Sequence, residues 1–374
     1  MSAPQTARPR TVRVDLGSRS YDILIGRGLL ETAGTEIASR LPGVRAAIIT
    51  DETVAALHLR LLGESLDAVG IEHSAAIIPA GEASKSFTIL EQVVDAVLAA
   101  RLERGDIILA LGGGVVGDLS GFAAGIIRRG MRFVQLPTTL LAQVDSSVGG
   151  KTGINTERGK NLVGLFHQPE LVLADAGILD TLPPRDFNAG YAEVVKYGVL
   201  GDAEFYDWLE VNWRAIAAGW PEREIAIARS CEAKAATVAA DERDEGSRAL
   251  LNFGHTFGHA LETALGYTDR LVHGEAVSIG MVLALEFSAR MNLTSPDNAR
   301  RVAAHLAEVG LPTRVQDIPG DLPDAQTLLH HIAQDKKVSR GKLTFILARD
   351  IGDTFVAKDV PASEVTAFLN EKLS

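Results

Sequence analysis

Val12, Val14 and Leu16 alternate with polar residues, and a second apolar run, Tyr21 to Ile25, follows a Gly/Ser turn. The chain is therefore expected to open on a β-hairpin. The next apolar runs, over residues 45–50, 74–79, 106–111, 132–136 and 171–174, are nearly continuous, and stretches of helical period fit between most of them. Strands apolar on both sides, separated by helices, predict a parallel sheet covered on both faces. Beyond Thr181-Leu-Pro-Pro184 the period changes. Helical patterns run over 192–200, 202–218, 222–240, 254–265, 274–291 and 296–309, with 342–347 as the only late strand. The pattern predicts a Rossmann-like α/β domain over residues 1–180 and a mainly α-helical domain over 181–374.

Composition narrows the partners. The 48 acidic and 37 basic side chains give a net charge of −11, and no basic run stands out, which excludes a dedicated binder of nucleic acid or anionic membrane. The one cysteine, Cys231, excludes an internal disulfide framework and suits a reducing compartment. No apolar stretch approaches the ~18 residues of a membrane span, and no export signal is read at the start, so the expected location is cytoplasmic. Glycine is the one excess, at 36 residues.

Two glycine stretches and one histidine group carry the candidate chemistry. Strand 106–111 runs straight into Gly112-Gly-Gly-Val-Val-Gly117-Asp118, a G-x-G-x-x-G pattern between a strand and a helix. There the backbone can approach a pyrophosphate, which a helix N-terminus attracts. The acid that usually follows about 20 residues on to hold a ribose is missing, and Asp51, closing an earlier strand, is the alternative. Val144 to Gly153 combines Asp145, two serines, three glycines and Lys151, with Lys160 and Asn161 shortly after, a set able to contact phosphate or hydroxyls. His255 and His259 stand at i and i+4 on one helix face, and His273-Gly-Glu275 opens the next helix. Spacing alone groups His255, His259 and His273 as metal ligands, with Glu193 of Glu193-Val-Val-Lys196 as the candidate carboxylate. Lys234, Arg248, Asn252 and Lys336-Lys337 add cations and an amide for an anionic substrate.

Taken together these motifs resemble the 3-dehydroquinate synthase family of sugar phosphate cyclases. The stretches that carry the resemblance are Pro79-Ala-Gly-Glu82-Ala-Ser-Lys85, Gly112 to Asp118, Pro137-Thr-Thr-Leu-Leu-Ala-Gln-Val-Asp145-Ser-Ser-Val-Gly-Gly-Lys151, Lys160-Asn161, Ala192-Glu-Val-Val-Lys196, Asn252-Phe-Gly-His255-Thr-Phe-Gly-His259 and His273-Gly-Glu275. The resemblance implies a carbon–oxygen lyase of the shikimate route to aromatic amino acids. Such an enzyme converts 3-deoxy-D-arabino-heptulosonate 7-phosphate to 3-dehydroquinate and phosphate. Transient oxidation by NAD+ acidifies the neighbouring C–H, phosphate is eliminated, the hydride returns, and the opened ring closes by an intramolecular aldol step; one divalent metal ion, Zn2+ or Co2+, assists as a Lewis acid.

The resemblance also implies roles. It makes Glu193, His255 and His273 the metal ligands and turns His259 toward the substrate phosphate, together with Lys151, Asn161, Asn252 and one of Lys336 or Lys337. Lys234 and Arg248 are implied for the carboxylate, Lys196 and Asp145 for the hydroxyls, and Asp244 as a proton acceptor. Arg129 is implied to reach across a homodimer interface. The implied NAD contacts are Asp51, Glu82, Lys85, Gly114, Val115, Asp118, Thr138, Thr139, Lys151, Lys160, Thr181 and Leu182. Two rivals share parts of this pattern. A sister cyclase acting on a carboxylate-free sugar phosphate has no use for Lys234 with Arg248, and a metal-dependent alcohol dehydrogenase of related fold would continue Pro137-Thr-Thr differently.

Overall fold

The computed structural model describes residues 8–219, 221–334 and 343–374; Lys336 and Lys337 lie outside the described residues. The strands are β1 (Arg10–Val14), β2 (Tyr21–Gly26), β3 (Ala46–Asp51), β4 (His73–Ile78), β5 (Ile107–Gly112), β6 (Arg132–Pro137), β7 (Lys151–Thr156), β8 (Gly159–Phe166), β9 (Leu171–Asp175), β10 (Leu343–Asp350) and β11 (Asp353–Val360). Among the described residues the chain forms two compact units, one of residues 1–183 and 215–243, the other of 184–214 and 244–374.

The first unit is built on a sheet of order β1-β2-β9-β6-β5-β3-β4. β1 and β2 form the antiparallel hairpin, and the remaining neighbours pair in parallel. The continuous apolar runs are explained by the two cores. Ile48 and Leu109 pack on one face with Ile37 and Leu62, while Ile49 and Ile108 pack on the other with Val116 and Phe122. Successive side chains of a strand point to opposite faces, so a strand covered twice has no polar side to show. The glycine stretch after β6 forms a π-helical turn over Ala142–Ser146 followed by the β7–β8 hairpin.

A single cut after residue 180 does not describe the compact units, because the helix Glu222–Ala240 returns to the first. Arg223 anchors it there. It is 2% exposed and donates to the Ala176 carbonyl at 3.0 Å and to Asp180 at 2.6 Å. The second unit holds the helices Pro184–Gly201, His255–Ala264, His273–Arg290, Pro296–Val309, Ala325–Gln334 and Ala362–Leu373. Its late strand is not alone, since β10 pairs antiparallel with β11. Phe257, Phe287, Phe345 and Phe368 pack in tilted and edge-to-face pairs at ring separations of 5.1–6.3 Å, locking helices 255–264, 273–290 and 362–373 onto β10.

Candidate active site

In the second unit three side chains from three helices converge. Glu193 lies mid-helix and is 1% exposed; His255 and His273 are each the first residue of their helix. The helices can come this close because glycine stands at the crossings. A β-carbon on Gly274 would sit 1.9 Å from the Ala189 carbonyl oxygen, and one on Gly280 would sit 2.0 Å from that of Gly254. His255 Nε2 and His273 Nε2 each lie 3.4 Å from the same oxygen, Glu193 Oε1. Their other ring nitrogens face acceptors: His255 Nδ1 is 3.2 Å from the Phe253 carbonyl, and His273 Nδ1 is 3.1 Å from Glu262 Oε2.

The donor set fits a divalent metal. One ligand atom from each of Glu193, His255 and His273 lies within 4.8 Å of the others, and among the described residues neither carboxylate oxygen of Glu193 has a well-formed hydrogen bond. A buried carboxylate with two imidazole nitrogens aimed at it is a nitrogen and oxygen ligand set suited to zinc or cobalt. Burial opposes ionisation of Glu193, yet Lys196 Nζ, 2.5 Å from Oε2, and the two histidines hold the carboxyl well below the usual range. His273 is pushed up to about 10, because Glu262 and Glu193 outweigh the effect of its burial.

His259 is exposed, with its ring 5.1 Å from that of His255, and belongs with Glu262 and His273 to a second group of potential ligands. Lys196 and Arg248 are buried at 1% and 2% exposure. Asn252 donates to the Ala249 carbonyl at 3.1 Å, and Asp244 is half-buried with φ of 57°.

In the first unit the glycine loop leads into the helix Gly114–Ile126, capped by Gly113 with no side-chain cap. A β-carbon on Gly117 would lie 2.6 Å from Gln135 Oε1, so that side chain would have to shift to admit one. Val115 sits in the first turn of this helix. Lys85, 5% exposed, bridges Asp118 at 2.6 Å and Asn161 at 2.5 Å, and Glu82 accepts from Asn155, whose own side-chain oxygen accepts from Asn161 N. Burial raises the Asp118 pKa, and Lys85 only partly offsets it. The Thr138 hydroxyl is buried without a partner among the described residues, while Thr139 accepts from Ala142 N. An uncapped helix N-terminus beside an orphaned hydroxyl fits a pyrophosphate-containing dinucleotide. Asp51 caps the following turn through Val54 N, and the Thr181 hydroxyl donates to Ile178 and meets His58. Leu182 ends that 3-10 turn.

Asp145 sits in the π-helical turn, and Lys234, on the returning helix, donates to both its carbonyl at 2.6 Å and its Oδ1 at 2.8 Å. One helical turn earlier, the Cys231 thiol donates to the Gln143 carbonyl. Such π turns are found disproportionately at functional sites. Lys151 is exposed at the start of β7, and Lys160 is half-buried in β8. Arg129 is exposed, with φ of 64° directly after Arg128 at 50°, so two successive non-glycine residues take the left-handed conformation. Glu262 escapes a reading by motif. Its only sequence signal is its position three residues after His259 on a histidine-bearing helix.

The N-terminal family pattern described as 3-dehydroquinate synthase N-terminal matches residues 75–189, and the pattern described as 3-dehydroquinate synthase C-terminal matches 190–338. A 3-dehydroquinate synthase of Rhizobium leguminosarum bv. trifolii is 66% identical over 370 residues, covering 99% of this chain and 98% of the relative. Among solved structures, ValA, a 2-epi-5-epi-valiolone synthase from Streptomyces hygroscopicus subsp. jinggangensis with NAD+ and Zn2+ bound, superposes with a TM-score of 0.86 at 30% identity, covering 96% of this chain and 98% of that one. A 2-deoxy-scyllo-inosose synthase complexed with carbaglucose-6-phosphate, NAD+ and Co2+ gives 0.83 at 26% identity, covering 97% and 100%.

Proposed function

The chain belongs to the 3-dehydroquinate synthase family, and from that premise we propose that it converts 3-deoxy-D-arabino-heptulosonate 7-phosphate to 3-dehydroquinate and phosphate. The observation that carries the reading is the convergence of His255 and His273 on one buried oxygen of Glu193 in a chain that matches the family through both halves. Bound NAD+ supplies reversible hydride acceptance, and a bound divalent metal, Zn2+ or Co2+, supplies Lewis acidity toward the reacting oxygens.

The residues then divide the work. Glu193, His255 and His273 hold the metal, and Lys196 balances the carboxylate while meeting a substrate hydroxyl. Asp145 takes another hydroxyl, Lys234 and Arg248 the carboxylate, and His259, Lys151, Asn161, Asn252 and one of Lys336 or Lys337 the phosphate. The first unit carries the cofactor along Glu82, Lys85, Gly114, Val115, Asp118, Thr138, Thr139, Lys160, Thr181 and Leu182, with Asp51 at the ribose. Asp244 accepts a proton. The enzyme acts as a homodimer in the cytoplasm, with Arg129 serving the neighbouring subunit. Four apolar residues of the same unit, Ile126, Leu162, Leu165 and Phe166, are 40–47% exposed and support such an interface. No helix among the described residues is long and apolar enough to cross a membrane.

The test is phosphate release from several sugar phosphates, with NAD+ and Co2+ and with or without chelator. The heptulosonate phosphate is expected to release one phosphate per molecule without NADH accumulating. Turnover of sedoheptulose 7-phosphate or glucose 6-phosphate instead would support a sister cyclase, and steady NADH build-up would support a dehydrogenase.

A further inference from the structure

Glu262 has no part in the roles above, yet it is a buried acid, 4% exposed, on the helix that begins with His255. Its Oε2 stands 3.1 Å from Nδ1 of His273, while Nε2 of the same ring stands 3.4 Å from Glu193. The two nitrogens of an imidazole point away from one another, so the ring is held between two carboxylates. A carboxylate can only accept, so Glu262 keeps a proton on Nδ1, and Nε2 is the nitrogen at which an ion would take the place of a proton. His255 receives the same tautomer from a neutral acceptor, the Phe253 carbonyl at 3.2 Å. The two imidazoles therefore differ in one respect: a full negative charge stands behind His273 and a dipole behind His255.

We propose that Glu262 is a positioning residue for metal binding, fixing the tautomer and ring orientation of His273 and increasing its strength as a donor. This rests on the assignment of Glu193, His255 and His273 as ligands. An anionic acceptor behind a ligating imidazole makes the ring more basic and holds it against rotation, and loss of such a partner costs about 10–100-fold in metal affinity. His255, held only by a carbonyl, lacks that reinforcement, so His273 carries the larger share of the sensitivity to its surroundings.

The experiment titrates metal-free protein with Co2+ against a chromophoric chelator and records the visible spectrum of the bound ion, with thermal unfolding of the metal-free form as the check on folding. Glu262→Gln keeps the size and a hydrogen-bond acceptor but removes the charge; it is expected to bind Co2+ about tenfold more weakly and to shift the spectrum. Glu262→Ala is expected to lose toward a hundredfold. Glu193→Gln serves as the arm that tests the ligands themselves. If it abolishes tight binding while both Glu262 variants, still folded, keep the parent affinity and spectrum, the positioning role is refuted and the ligand assignment stands. If Glu193→Gln leaves Co2+ binding untouched, the ligand assignment fails and the role of Glu262 fails with it. Should Glu262→Ala not fold, the Gln variant decides.

Discussion

Gly274→Ala is predicted to disrupt the proposed metal site without touching a proposed ligand. The new β-carbon would lie 1.9 Å from the Ala189 carbonyl oxygen, where ordinary contact begins at 3.4 Å, so about 3.4 − 1.9 = 1.5 Å must be found. The obstacle is backbone of the helix Pro184–Gly201, which has no rotamer to yield, and Ala189 is one turn before Glu193 on that helix. Separation of the helices is therefore the available relief, and His273, adjacent to Gly274, moves with it. Metal sites tolerate departures of about 0.2 Å in ligand distance, so a shift several times larger is expected to weaken Co2+ binding by about 10–100-fold, the scale seen when a ligand's support is lost. Overpacking should cost about 1–3 kcal/mol in stability besides. Gly201→Ala is the control: it lies at the end of the same helix with nothing within 4 Å of its β-carbon position and is expected to be neutral or stabilising by up to about 1 kcal/mol. Co2+ titration and thermal unfolding of both variants provide the assay. If Gly274→Ala binds and melts like the parent, close helix approach is not what sets the ligand geometry.

His273→Ala is expected to lose bound metal and phosphate release together, as metal analysis beside the phosphate assay would show; full activity would remove His273 from the ligand set. Asp106 accepts from Arg45 N, Glu103 N and the Arg45 guanidinium, which outweigh its burial and hold its carboxyl below the usual carboxylate range. With the folded value depressed, its contribution is complete above the unfolded value of about 3.9 and is lost as the pH falls through the folded one. Asp106→Asn should therefore be about 1–3 kcal/mol less stable in urea at pH 7, with the gap closing toward pH 3; a gap constant with pH would contradict this. Burial pushes the Cys231 thiol up to about 12. The native protein should thus be inert to a thiol-specific disulfide reagent at pH 8 and react with one equivalent on unfolding, whereas rapid native reaction would show that Cys231 is accessible.

The parts of the fold governed by local pattern were legible in the chain. Strands such as Ile107–Gly112 are apolar at every position because both faces are covered, and helices such as Pro296–Val309 carry their own period and caps. What depended on distant partners was not. Helix Glu222–Ala240 reads like its neighbours in sequence, but its place in the first unit is fixed by buried Arg223 meeting Asp180 and the Ala176 carbonyl, about forty-five residues away. The β7–β8 hairpin was hidden because β8 is exposed along most of its length and so lacks the alternation that marks a half-buried strand. At the histidine cluster, spacing alone favoured His255 with His259, since i and i+4 share a helix face. In the structure His255, at the first position, lies 3.4 Å from Glu193 Oε1, whereas His259, one turn on, is exposed and grouped with Glu262 and His273.

Charge shows the same dependence on partners. The chain is negative overall, yet Lys85, Lys196 and Lys234 are 5%, 1% and 6% exposed. A lone buried ammonium costs several kcal/mol, so each requires an acid, and each has one: Asp118, Glu193 and Asp145 respectively. These cations cannot attract an anionic substrate as free charges would, because their fields are largely cancelled at contact distance. On the proposed reading only Lys234 among them meets an anion, the substrate carboxylate; Lys196 meets a hydroxyl and Lys85 the cofactor. The pairing also means that removing one lysine takes that partner from its acid, and the loss then measured exceeds the lysine's own contact with substrate. For Lys234 and Asp145 the two contributions separate only in a double-mutant cycle, in which both partners are removed together.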